Sequence, residues 1–476
     1  MSAAVQPAPA GTRCYQRRRP QHTLWYRSTV QAHCATWLAL AAGSDETAPP
    51  AYVEQAFRRY LECGVLSCGF ARAFCKACGH DFLVAFSCQG RAVCPSCNAR
   101  RMVETAAHLS DHVLPPLPLR QWVLAVPKRL RYFLHDDAVL QGVVVRILLR
   151  AIERCLREHS PGSSAAARLG AVVFIHRFGS SLNAHLHFHC CILDGVFAPA
   201  HATDAPAGVV FHEAGELDAT AVATVQARVR QRVLRACVRR GLLAQCDSEA
   251  MGGWAHGGGF SLDATVRIAG ADRAGRERLL RYGARPPFAL DHLHQHDAEH
   301  LVDDIAKPRP DGPRALVLTP LELIDKIAAL VPPPRVHRHR YYGVLAPNAL
   351  LRAAVTALAP VPVPAPATGT PDAAPHRAAA RYLWAMLLAR IDEVLPLTCA
   401  FCGAEIRIIA FITAPATVRQ VLEHLGEPTR PPRFAPARGP PLWEAVTAAP
   451  PTDHDPRWDP AAQPLPQIEF DQRRAW

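Results

Sequence analysis

Residues 185–189 read His-Leu-His-Phe-His. Side chains on a β-strand alternate between faces, so His185, His187 and His189 would line one face while Leu186 and Phe188 turn into the core behind it. Imidazoles in register on a rigid strand make a ready site for a divalent metal. His176 lies on the preceding apolar run, and a turn near Ser181 would bring it opposite His187. A cation held by two or three side chains keeps open positions for a phosphate oxygen, which is the chemistry of phosphodiester cleavage by water or by a side-chain hydroxyl. Tyr282 is the best hydroxyl for that task. Arg278, Arg281 and Arg285 surround it in sequence, just before the break at Pro286 and Pro287. They could hold flanking phosphates and depress the phenol pKa. A lone tyrosine is ordinarily a packing residue, and composition by itself does not overturn that reading.

The cysteines carry a second signal. Of 16 in the chain, seven fall between residues 63 and 97. The pairs Cys75/Cys78 and Cys94/Cys97 have the two-knuckle spacing of a tetrahedral zinc site, and four thiolates leave no open position, so the expected role is structural. Cys63, Cys68 and Cys88 could add ligands or hold a second ion, but core packing is the expectation for each. Arg100 and Arg101 follow at the head of a helix, either as a phosphate contact or as a solvated basic face. Cys399 and Cys402 form only half of a further site.

These residues need elements to position them. The run beginning at Arg120 (RQWVLAV) reads as a strand, and LQGVVVRILLRAIERCLREHS has a helical period ending at Ser160-Pro161-Gly162. The runs GAVVFIHRF and AHLHFHCCILDGVF read as a hairpin joined over residues 179–183. Residues 217–247 predict one long helix with basic residues on its polar face. Thr319 should cap a helix with Pro320 at its first position, stopped by Pro332–Pro334. The fold class is α+β, with an antiparallel sheet flanked by helices. The boundaries expected are a partly ordered segment 1–52, a zinc-binding domain 53–113, a domain 114–358 that carries the histidines and Tyr282, a Pro/Ala linker 359–376 and a small C-terminal region 377–476 with one CxxC. No internal repeat is found.

Composition narrows the partners. Of 476 residues, 53 are Lys or Arg and 41 are Asp or Glu, a net charge of +12 with only four lysines among the basic residues. Arginine grips phosphate with a planar fork, so the surplus points to a polyanion, with nucleic acid first; a GC-rich genome produces the same skew. Apolar residues at 49% exclude wholesale disorder. No apolar run is long enough to span a membrane, and the N-terminus lacks a signal-peptide core. A cytoplasmic protein is expected, nucleoid-associated when on DNA, and in that reducing compartment crowded cysteines mean metal rather than disulfides.

Taken together, CKACGHDFLVAFSCQGRAVCPSCNARR, FGSSLNAHLHFHCCILDGVF, RYGARPPFAL, LTPLELIDKIAALVPPPRVHRHRYYGVLAPNALLR and LGEPTRPPRFAPARGPPLWE resemble the rolling-circle transposases of the insertion sequence ninety-one family and the related common-region elements. The resemblance runs from about residue 55 to 445. It implies a zinc-ribbon domain followed by an HUH nuclease domain, named for histidine–hydrophobic–histidine. His187 and His189 would be that pair around Phe188, with Tyr282 as nucleophile and His185 or His176 as third ligand. The implied reaction cleaves single-stranded DNA at an element end, leaving a 5′-phosphotyrosine and a free 3′-hydroxyl, with Mg²⁺ or Mn²⁺ on the scissile phosphate. Two-tyrosine relatives carry catalytic tyrosines four residues apart, whereas here position 278 is Arg and 286 is Pro, as in the single-tyrosine branch. Tyr341 and Tyr342 stand near an Arg/His cluster, where DNA stacking or core packing is the plainer role. The rival readings are a plasmid replication initiator or relaxase, a catalytically dead zinc-dependent DNA-binding protein, and a small-molecule metallohydrolase. The last fits the charge poorly.

Overall fold

The computed structural model describes residues 20–42, 48–179, 181–200, 208–305, 313–359, 399 and 401–438. The Arg17–Arg19 run, the Pro/Ala linker beyond residue 359 and most of the expected C-terminal region lie outside the described residues.

A six-stranded antiparallel sheet is built around the strand Leu119–Ala125, whose seven residues are all buried. On one side it pairs with Ala184–Leu193, which forms the expected hairpin with Gly170–Phe178; His339–Gly343 closes that edge. On the other side Ser261–Asp263 and Arg267–Ile268 pair with its two ends. Alternation along the strands then makes two apolar faces. Trp122, Leu124, Leu186 and Phe188 meet the helices Ala138–His159 and Ala219–Val238. Val172, Phe174, Cys191 and Leu193 meet Leu279 and Leu280 of the helix Arg273–Ala284. Each such side chain stabilises by about 1.5–3 kcal/mol on full burial, so the sheet is covered on both sides and held rigid.

Local chemistry sets the helix ends. The Asp137 carboxylate accepts from the amides of Val139 and Leu140 at 2.8 and 2.9 Å and starts the helix after it. Thr319 and Glu322 form a reciprocal capping box with Pro320 at the first helical position, as the sequence predicts. The single helix expected over 217–247 is instead two, Ala219–Val238 and Gln245–Gly253. Gly241 adopts a φ of 68° and the Leu242 amide donates back to the Cys237 carbonyl at 3.0 Å, a Schellman closure that ends the first helix.

Within the N-terminal segment, described residues enter the core. Trp25 and Tyr26 are fully buried in one cluster with Phe57 and Tyr60, to which Leu323 and Ile324 of the capped helix also belong. The Trp25 indole donates to the Val93 carbonyl at 2.8 Å. The region 377–476, expected as a unit of its own, behaves differently where it is described. Its strand Ile406–Ile412 pairs antiparallel with Phe70–Cys75, which also pairs with Asp81–Ala85. The helix Pro415–His424 then sets Val418 and Leu422 against Leu66 and Phe70. The apolar alternation of IRIIAFI needs a partner strand, and the N-terminal hairpin supplies it.

Candidate metal and tyrosine site

Register brings the histidines together. His176 lies directly opposite His187, because the hairpin closes over residues 179–183. His176, His187 and His189 each present a ring nitrogen, and the three nitrogens lie within 4.8 Å of one another. His185, the other candidate ligand, stays outside this group; its ring lies 5.0 Å from that of His187, centroid to centroid. In His176 and His187 the other ring nitrogen is engaged so as to leave a lone pair for the group. His176 Nε2 donates to the Gly283 carbonyl at 2.7 Å, and its buried Nδ1 has no hydrogen-bond partner among the described residues. His187 Nδ1 donates to the His185 carbonyl at 3.0 Å, leaving Nε2 for a ligand role. Burial holds all three imidazoles neutral, driving His187 down to about 3 and His176 and His189 well below their ordinary range. A neutral imidazole is the form that binds metal.

Tyr282 stands beside them. Its ring centroid lies 5.4 Å from that of His189 and 6.4 Å from that of His176. It projects from the helix Arg273–Ala284, which packs on the zinc-domain helix Pro95–His112. Gly283 makes this approach possible: a Cβ there would lie 2.7 Å from the Phe174 ring.

The five arginines expected on DNA are not equivalent. Arg285 carries its guanidinium over the Tyr282 ring at 4.9 Å and over Phe178 at 5.1 Å, so it faces the site. Arg278 is exposed on the same helix. Arg281 pairs with Glu277 at 2.7 Å and Arg100 with Glu104 at 2.7 Å, while Arg101 donates to the Gln89 carbonyl at 3.0 Å. Tyr341 and Tyr342 sit on the edge strand opposite Val172 and Ala171. Tyr341 is four residue pairs along the ladder from His176, roughly 13 Å.

Sequence reasoning missed three positions. Gln121 is buried in the central strand and its Nε2 donates to His189 Nδ1 at 3.0 Å, while its own Oε1 is buried with no hydrogen-bond partner among the described residues. Turned end for end, the same amide would accept from Nδ1–H and leave His189 Nε2 to a metal. Two adjacent polar residues, Arg120 and Gln121, at the start of an otherwise apolar strand were the available signal. Arg338 bridges the site to the zinc domain, donating to the carbonyls of Arg285 (3.0 Å) and Arg91 (3.2 Å). Gly283 is the third.

The cysteine grouping is a correction. Cys75, Cys78, Cys94 and Cys97, expected as one set, are parted. Cys94 and Cys97 join Cys63 and Cys88, and Cys75 and Cys78 lie beside Cys399 and Cys402. The reason is the hairpin of Phe70–Cys75 and Asp81–Ala85, which holds the first pair at its tip. Five residue steps, roughly 17 Å, separate tip from base, too far for one ion. In the group at the base, neighbouring sulfurs are 3.6 Å apart, and the Cys88 and Cys97 amides each donate to a sulfur at 3.4 Å. This is a closed four-thiolate donor set of the kind structural zinc takes. Cys63 and Cys88 are therefore members of that set rather than core packing.

Away from the histidines, across the sheet, a cleft of about 1120 Å³ between the helices Ala138–His159, Ala219–Val238 and Gln245–Gly253 is lined by Arg150, Arg228, Arg230, Arg232, Arg235 and Arg239. No helix among the described residues is long and apolar enough to cross a membrane.

Comparison with known families gives two matches. Residues 170–351, which hold the histidines and Tyr282, match the family "Putative transposase" (Y2_Tnp). Residues 29–126 match the "Transposase zinc-binding domain" of IS91 elements, a region holding all of the Cys63, Cys88, Cys94 and Cys97 group. Together they cover more than half of the chain. A search of curated proteins and a search of solved structures return no match.

Proposed function

Because the chain belongs to the IS91-family transposases, we propose that it cleaves and rejoins single-stranded DNA at element ends through a covalent bond to Tyr282, by rolling-circle transposition. The observation that supports this reading above others is the tyrosine ring set 5.4 Å from His189 in a group of three neutral imidazoles, of which His176 and His189 are buried and His187 half-buried. The Tyr282 oxygen attacks phosphorus, the bond from phosphorus to the 3′-oxygen breaks, the phenol proton is released, and the departing oxygen takes up a proton as a 3′-hydroxyl. The 5′-phosphate stays on the tyrosine. Attack on that phosphotyrosine by a 3′-hydroxyl of the target reverses the chemistry and joins the strands. A divalent cation, Mg²⁺ or Mn²⁺, held by His176, His187 and His189 supplies a Lewis acid for the scissile phosphate.

The chain's own residues do the positioning. Strand register holds His187 and His189, and Gly283 fixes His176 through its carbonyl while letting the tyrosine helix approach the sheet. Arg285, stacked on the Tyr282 ring, holds the ring in place and sets a cation where the DNA backbone would pass. Arg278 extends that basic path. The arginine-lined cleft across the sheet offers a second surface for phosphates, to be read as salt-sensitive and sequence-independent binding. The structural zinc group braces the helix Pro95–His112 against which the tyrosine helix rests.

The test is cleavage of labelled single-stranded DNA covering the gene's own flanks, with Mg²⁺ or Mn²⁺. A denaturation-resistant protein–DNA adduct is expected, dependent on metal and abolished by Tyr282→Phe and His187→Ala. An adduct that survives Tyr282→Phe would move the nucleophile elsewhere. DNA binding with no adduct on any flank would refute the cleavage reading for this chain.

A further inference from the structure

We propose that Cys75, Cys78, Cys399 and Cys402 hold a second zinc ion, which clasps the C-terminal strand and helix onto the N-terminal sheet. Cys75 and Cys78 lie inside the matched zinc-binding region, whereas Cys399 and Cys402 lie beyond residue 351, outside both matched regions.

Three observations carry it. The first is donor geometry. The Sγ atoms of Cys75 and Cys402 are 3.5 Å apart, as are those of Cys78 and Cys399, and all four fall within 4.8 Å of one another. Four sulfurs around a tetrahedral zinc at about 2.3 Å stand about 3.8 Å apart, whereas a disulfide requires about 2.05 Å.

The second is the backbone. The same pair of backbone hydrogen bonds recurs at the two CxxCG motifs. In one, Gly79 donates to the Cys75 carbonyl at 2.9 Å and Cys75 to the His80 carbonyl at 2.9 Å. In the other, Gly403 donates to the Cys399 carbonyl at 2.9 Å and Cys399 to the Ala404 carbonyl at 2.7 Å. Gly79 and Gly403 take the same left-handed φ, 74° and 73°, which favours glycine at that corner. Two matching knuckles, facing each other across one point, are what a four-thiolate ion needs.

The third is long-range placement. Strand pairing sets Cys75 opposite Ile406, which delivers the second knuckle to the first although more than 320 residues separate them in sequence. His80 and Phe401, one from each knuckle, lie against each other with ring centroids 3.8 Å apart at 34°. Beyond the clasp the chain continues onto the N-terminal helices, where the Ala435 amide donates to the Gln31 carbonyl at 2.8 Å and the Arg438 amide to Thr36 Oγ1 at 2.9 Å.

The two metals differ in access. In the inner group only Cys88 is half-exposed and Cys63, Cys94 and Cys97 are buried, whereas in the outer group both Cys78 and Cys402 are half-exposed. A chelator should therefore strip the clasp first and free the C-terminal segment while the inner zinc stays.

The experiment uses the full-length protein purified with zinc. Native mass spectrometry should count two zinc ions per chain, and one in Cys399→Ser/Cys402→Ser, with circular dichroism retained and the segment after residue 399 newly open to trypsin. As an arm independent of any variant, pulsed thiol alkylation of the wild type should show Cys75, Cys78, Cys399 and Cys402 protected together and released together by graded chelator. Exposed Cys246 should react at once. A wild-type count of one zinc would overturn the proposal. So would Cys399 and Cys402 that alkylate as fast as Cys246 in the zinc-loaded protein. None of these readouts depends on DNA cleavage.

Discussion

Gly283→Ala tests how closely the tyrosine helix must sit on the sheet. An added Cβ would meet Phe174 at 2.7, 2.8 and 3.1 Å from three ring carbons. Ordinary carbon–carbon contact is about 3.5–4.0 Å, so the helix must retreat by about 1 Å or the ring must turn. Phe174 is 1% exposed and packs among Leu279, Leu280 and Cys191, which leaves the ring little room. Overpacking of this kind costs about 1–3 kcal/mol, and alanine gives back about 1 kcal/mol of helix propensity over glycine. The net loss of stability is therefore only about 0–2 kcal/mol. Activity should fall much further, because the neighbouring residue is Tyr282 and a misplacement of about 1 Å costs on the order of 100-fold. The Gly283 carbonyl would also draw away from His176 Nε2. The assay is the rate of adduct formation on single-stranded DNA beside a denaturant melt of the same sample, and Gly283→Ala/Phe174→Leu should recover part of the rate. Wild-type cleavage by Gly283→Ala would show that the ring yields, and would refute the argument that close helix–sheet packing positions the tyrosine.

Gln121→Ala should weaken metal binding at the histidine group by about 10–100-fold with little change in melting, and Gln121→Glu should restore it; calorimetric Mn²⁺ titration reads both. Arg120→Met leaves Asp194, 0% exposed and held by Arg120 at 2.8 and 2.9 Å, with Arg267 as its remaining ion-pair partner at 2.6 Å. Urea unfolding should show a loss of about 3–5 kcal/mol, and a loss below about 1 kcal/mol would count against that buried pair. Burial, followed by the neighbouring His337, lowers His339 to about 4. The unfolded chain then binds the extra proton first, so this contribution is complete above about pH 6.5 and is lost as pH falls toward 4, by about 1.4 kcal/mol per unit. His339→Gln should flatten that part of the stability curve, and an unchanged slope would exclude the assignment.

The histidine hairpin was legible because its information is local. Period-two alternation fixes the face of His187 and His189, and the turn at 179–183 fixes His176 against them. The Thr319 cap was legible for the same reason. The cysteine partners were not. Spacing within CxxC reports each knuckle but not which knuckles meet, and that is decided by Ile406–Ile412 pairing with Phe70–Cys75. Cys63 lacks a CxxC partner, so only the fold reveals it as a ligand. Gly241 was overlooked because the helical period continues past it, although a Schellman end requires just such a residue. Gln121 and Gly283 act through packing across the sheet, which a linear pattern does not encode.

The pairing of Ile406–Ile412 with Phe70–Cys75 also bears on how the protein is made. Synthesis proceeds at about 5–20 residues per second, so roughly 15–70 s pass between the emergence of the first strand and that of its partner. The sheet that bears the histidines, closed by His339–Gly343, is complete before then. Through that interval the edge of Phe70–Cys75 stays open beside a finished histidine-bearing sheet, and such an edge is a template for pairing with another chain. A ribosome that stalls after residue 351 would thus release a chain whose histidine–tyrosine site is whole and whose N-terminal sheet is unsealed. Translation through the strand Ile406–Ile412 is what seals it.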